Sequence, residues 1–151
     1  MSGQKAVLIA VDGSVHSERA FDWYVTNLYR DGDEVIGLVC PQIANRLSSI
    51  AEEDKTPEGI KGIIEDENKR IQETMDRFTK RIETTQVKGE VTTVNGISPG
   101  QTIVEMAESR GVSFIVIGSR GQGVKRRTPI GQVCDFVMNH ATVPVMICKD
   151  A

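Results

Sequence analysis

The sequence is short of the residues that build metal sites and covalent staples. Among 151 residues there are three cysteines, two histidines and seven aromatics: one Trp, two Tyr and four Phe. Cys40, Cys134 and Cys148 form no CxxC pair, which argues against a structural zinc site and for reduced, buried thiols. Positive charge is not in surplus either. Eighteen Lys and Arg stand against 21 Asp and Glu, a formal net charge of -3, which argues against coating nucleic acid by bulk charge. No apolar run approaches the roughly 20 residues that span a bilayer. The opening MSGQKAVLIAVDG holds a short apolar stretch that Asp12 ends, too little for a signal-peptide core. The expectation is a cytoplasmic protein with no membrane segment. Catalytic signatures are missing too. There is no GxxxxGK[ST] loop, no SGGxDS, and no suggestive Ser/His/Asp or Cys/His spacing. His16 and His140 both read as surface residues.

What is present is alternation. AVLIAV (6 to 11) is an unbroken apolar run, as in a strand covered on both faces. Phe21, Tyr24, Val25 and Leu28 then recur at helical spacing behind Ser14 as N-cap. VIGLVC (35 to 40) is a second strand, and residues 41 to 55 read as irregular. Thr56-Pro57 starts a long helix whose apolar face carries Ile60, Ile63, Ile64, Ile71, Met75, Phe78 and Ile82, its charged face reading as solvated. Gly89 opens a third strand. Ser98-Pro99-Gly100-Gln101 has the form of a capping box, for a helix that Gly111 stops. VSFIVI (112 to 117), a helix opened by Thr128-Pro129, and VPVMIC (143 to 148) complete the order. Strand and helix alternating throughout predict one domain over residues 1 to 151, with a parallel sheet covered on both faces.

In such sheets ligands bind beyond the carboxyl ends of strands, where the strand order reverses. Two strand ends carry distinctive chemistry. Asp12-Gly13-Ser14 follows the first strand, and GSRGQGVKRRTPIGQ (118 to 132) follows the fourth. Glycines let phosphate oxygens approach main-chain N–H groups, and a helix N-terminus offers more of them. A carboxylate at Asp12 can accept from a ribose hydroxyl or a base amine. Each element alone is also a common turn or cap. Together, on this alternation, they favour a nucleotide, with Lys125, Arg126 and Arg127 as local charge that could assist its phosphates.

These residues resemble the universal stress protein family, from AVDGS (10 to 14) to VPVMIC. The ATP-binding spacing of that family is Gly, two residues, Gly, nine residues, Gly, then Ser or Thr. Here Gly118, Gly121 and Gly131 match it, and Gln132 stands where Ser or Thr is usual. The resemblance implies an open five-stranded parallel sheet of order 3-2-1-4-5, Rossmann-like and of the adenine nucleotide alpha hydrolase-like kind. It implies ATP, ADP or AMP as ligand, with Mg²⁺ a candidate on the phosphates. Val11, Asp12 and Cys40 would line the adenosine end. Gly118, Ser119, Arg120, Gly121, Gly131, Gln132 and Val133 would surround the phosphates. It also implies a homodimer through the last strand, at Val143, Val145 and Ile147, where Pro144 suits an edge.

The function so indicated is a nucleotide-binding, stress-responsive module rather than an enzyme. The alternatives are a slow ATPase or nucleotide-transfer enzyme, and a dimer in which Gln132 has ended nucleotide binding.

Overall fold

The structure is a computed structural model, and it describes residues 5–12, 14–94, 98–119 and 132–149, with only the main chain at 44, 45 and 132. Five strands form one parallel sheet: β1 (Ala6–Val11), β2 (Glu34–Val39), β3 (Lys88–Thr93), β4 (Phe114–Gly118) and β5 (Val145–Cys148). Their order is β3-β2-β1-β4-β5, as the resemblance implied, and every pairing is parallel. Among the described residues five α-helices connect them: α1 (Val15–Asn27), α2 (Ile43–Ser49), α3 (Pro57–Thr85), α4 (Pro99–Arg110) and α5 (Gln132–His140).

The two-residue period of a strand sends alternate side chains to opposite faces, and β1 shows the result. Val7, Ile9 and Val11 join Ala20, Phe21 and Tyr24 of α1 and Ile71, Phe78 and Ile82 of α3 in one core. Leu8 joins Ile103, Val104 and Ala107 of α4 and Cys134 and Val137 of α5 in the other. An unbroken apolar run is therefore what a strand with helices on both sides requires. On the first face the rings of Phe21 and Phe78 meet edge to face, 4.7 Å between centroids.

Helix ends follow their cap residues. Ser14, Thr56 and Ser98 each accept from the amide three residues on, and prolines stand at the first turns of α3 and α4. Gly111 ends α4 in the left-handed region at φ 62°, which glycine adopts without a Cβ penalty. The capping box at Ser98 is half made. Gln101 gives its amide to Ser98 Oγ, but its side chain turns away to Glu105.

Residues 41 to 55 are not irregular. They hold α2 and a 3₁₀ turn over Glu52–Asp54. α2 has no side-chain cap, so local sequence gives no start signal. It is tied down by Arg46, which pairs with Asp66 and Glu67 of α3. Thr128 and Pro129 lie outside the described residues. Among those described, no helix is long and apolar enough to cross a membrane.

Candidate functional site

The strand order reverses between β1 and β4, and there the sheet opens. β1 and β2 pair up to Val11–Val39, and β4 and β5 up to Gly118–Cys148. Pairing of β1 with β4 stops earlier, at Ile9–Val116. The carboxyl ends of the two central strands thus part, and Val11, Asp12, Gly118 and Ser119 border the opening.

Asp12 stands at the head of a tight polar ring. Its Oδ1 accepts from the Ser14 amide at 2.9 Å and the Ser14 hydroxyl at 2.5 Å. Ser14 Oγ in turn accepts from the Ser17 amide at 3.3 Å, and the Ser17 hydroxyl donates to Ser14 O at 3.0 Å. Carboxylate placement and helix start are one device, because the N-cap serine is also a donor to Asp12.

Gly118 serves packing at this point. A Cβ there would lie 3.1 Å from the carbonyl oxygen of His16, so the bare glycine lets the first turn of α1 close against the end of β4. His16 is accordingly part-buried with Nδ1 inside, which corrects the expectation of a surface residue. His140 is exposed as expected, stacked on Phe136.

Val11 is buried in the first core. Ser119 is buried too, and its amide donates to Cys148 O at 2.9 Å. Val133, near the start of α5, packs against the second core. Arg120, Gly121 and Gly131 lie outside the described residues, as do the Gln132 side chain and Lys125 to Arg127.

Cys40 directly follows β2, with its thiol buried and aimed at Pro99 O, 3.7 Å away. Burial pushes that thiol up to about 12, against the pull of Arg70 and with a small push from Asp12. The three cysteines are all free, Cys40 and Cys134 buried and Cys148 half-buried.

Two residues at the site escaped the sequence reading. Arg70 donates to the main-chain oxygens of Asp12 at 3.0 Å and Cys40 at 3.2 Å. Glu67 is fully buried and grips Arg70 through Nε at 2.9 Å and Nη2 at 2.8 Å. Burial pushes the Glu67 carboxyl up, but Arg70, the Gln42 amide and Arg46 outweigh it and hold it below the usual carboxylate range. A signal existed. Glu67 falls four residues before Ile71 and four after Ile63, on the apolar stripe of α3, where an acid must find partners. Glu67 and Arg70 also line a groove of about 580 Å³ along α3, with Arg46, Lys69, Glu73 and Arg77 among its other walls.

Residues 4–149 match the model of the universal stress protein family. This chain belongs to that family. The universal stress protein YxiE of Bacillus subtilis is 28% identical over 95% of this chain and 97% of its own length. The structure of protein MJ0577 superposes with TM-score 0.80 at 26% identity, covering 97% of this chain and 96% of that one. Two further structures of the family were obtained with nucleotide. The Arabidopsis thaliana protein At3g01520, with AMP bound, has TM-score 0.71 at 22% identity and covers 97% of this chain and 92% of that one. The Archaeoglobus fulgidus protein in complex with dAMP has TM-score 0.66 at 22% identity, over 99% of this chain and 100% of that one. Some relatives are longer. The chain spans 22% of the Schizosaccharomyces pombe protein C167.05, at 25% identity, and 65% of the Arabidopsis PHOS32 protein, at 27%.

Proposed function

We propose that this universal stress protein binds an adenine nucleotide in the opening between β1 and β4. The observation that carries the reading is the early end of β1–β4 pairing, with Asp12 at the rim of the gap. Family members that hold AMP and dAMP support it. Asp12 accepts from the ribose or the base. Val11 and the Cys40 main chain border the adenosine. The phosphates fall to Gly118, Ser119, Arg120, Gly121, Gly131, Gln132 and Val133. The Ser119 amide already serves Cys148 O and is not one of the main-chain donors of this reading.

The residue types suit the ligand: one carboxylate for hydroxyls, a glycine-rich segment and a helix for an anion. In this reading Mg²⁺ is carried on the phosphates of the nucleotide. ATP and ADP are the fuller occupants, AMP the shorter one. The chain acts as a single-domain cytoplasmic binding module, with ATP hydrolysis at most weak. It pairs with a second copy through the last strand, an edge of the sheet, at Val145 and Ile147 of β5 and at Val143, which precedes the strand rather than lying in it.

The test is to denature freshly purified protein and analyse the supernatant by mass spectrometry, with a thermal-shift titration of ATP and AMP alongside. Co-purifying adenine nucleotide, or a dose-dependent shift, is the expected result. Absence of both favours a dimer that has lost the site.

A further inference from the structure

We infer that Arg70, held by Glu67, is the positioning residue for the nucleoside end of the crevice, fixing the main chain of Asp12 and Cys40 relative to each other. The inference rests on the nucleotide reading above for its consequence, though not for its geometry.

The last paired residues of β1 and β2 are Val11 and Val39. Asp12 and Cys40 are the next along each strand, where the ladder no longer dictates their separation. Both carbonyl oxygens accept from one guanidinium, Asp12 O from Nη1 and Cys40 O from Nη2. A planar group with a rigid fork of donors converts two chain ends into one unit.

The fork itself cannot swing. Its adjacent edge, Nε and the shared Nη2, is bound bidentately by Glu67, whose two oxygens also accept from the Gln42 amide at 2.7 Å and from Arg46 at 3.2 Å. Four donors surround one fully buried carboxylate, the condition under which such a charge is tolerated. Through Gln42 the chain leaving Cys40 is pinned as well, so Cys40 is held on both sides. Arg70 lies on α3, 58 residues from Asp12 and 30 from Cys40, so α3 anchors the rim from outside the sheet. A nucleoside contacting Asp12 and the Cys40 main chain meets a pair whose spacing Arg70 has set.

The experiment uses the full-length protein and Arg70→Lys, which keeps a cation beside Glu67 but cannot bridge two carbonyls while gripping both carboxylate oxygens. Isothermal titration with AMP should show a dissociation constant raised about tenfold, the scale of a lost charge-assisted hydrogen bond. Inorganic tripolyphosphate, which has no nucleoside, should bind the variant and the parent alike. In ¹⁵N spectra without ligand, the amides of Asp12, Ser14 and Gln42 should move while those of β5 stay. AMP affinity within twofold of the parent, or unmoved amides at Asp12 and Ser14, would overturn the inference. If the parent binds no adenine nucleotide, the functional reading falls separately, and the amides alone decide for or against Arg70. Should the lysine variant fail to fold, the double variant Glu67→Gln, Arg70→Gln removes clamp and buried charge together and is judged on the same amides and titrations.

Discussion

The carboxylate of Asp12 and the side chain of Ser14 are bound to each other at the mouth of the sheet, with Ser14 donating from both its amide and its hydroxyl. Ser14 is at the same time the N-cap of α1. The acid is therefore fixed by the helix start, and perturbing one perturbs the other.

Asp12→Asn separates these roles, because the amide oxygen still accepts from Ser14 while the charge is gone. AMP affinity should fall about tenfold, as expected for a lost charge-assisted hydrogen bond. Thermal denaturation should show the fold nearly unchanged. Ser14→Ala, by contrast, should cost about 1 kcal/mol of stability as a cap is lost. Urea denaturation of the two variants side by side checks the contrast.

Gly118→Ala presses a methyl group against the His16 carbonyl at 3.1 Å. The obstacle is backbone, so the first turn of α1 must retreat, at a cost of about 1–3 kcal/mol. Chemical denaturation should register that loss, and calorimetry a weaker AMP site. A variant as stable as the parent would mean that α1 does not close on β4 as described.

Acid should act through Glu67. Its folded carboxyl is held below the usual range, so the folded state binds fewer protons than the unfolded chain. The stabilisation is complete above the ordinary Glu value of about 4.3 and disappears as pH falls through the lower folded value. Glu67→Gln should remove this part of the pH dependence and cost about 2–3 kcal/mol at neutral pH, since two arginines lose a buried counter-charge. Denaturation midpoints from pH 3 to 7 for parent and variant provide the measurement.

Thiol labelling should be selective. Burial lifts Cys40 to about 12 and, with Asp135 adding to it, Cys134 to about 11. Cys148 is raised as well but is only half-buried. Near pH 7.5 an alkylating reagent should mark Cys148 first, with Cys40 and Cys134 reacting on the timescale of unfolding. Peptide mapping by mass spectrometry reads the order, and early modification of Cys40 would contradict its placement against Pro99.

The sheet was legible because its signals are local. Ala6–Val11 is an uninterrupted apolar run and forms a strand over those same residues. Thr56-Pro57 and Ser98-Pro99 carry their helix starts in adjacent residues. Asp12 was legible as a strand-end acid for the same reason. What stayed hidden depends on distant partners. α2 has no capping side chain and is secured by Arg46 across to α3. Glu67 stands out locally only as an acid on the apolar stripe of α3, and Arg70 as one more charge on a charged helix. The partners come from chain segments 21 to 58 residues away. Gln101 shows the converse: its local pattern promised a reciprocal cap, and a neighbouring Glu105 took the side chain instead.

The most direct measurement is a titration of ¹⁵N-labelled protein with AMP, followed amide by amide. The account predicts saturable shifts at Val11, Asp12, Ser14, Cys40, Gly118 and Ser119, with little change at Lys69, Glu73 and Arg77 along α3. No saturable shift at millimolar AMP, or shifts gathered at Lys69, Glu73 and Arg77 instead, would contradict it.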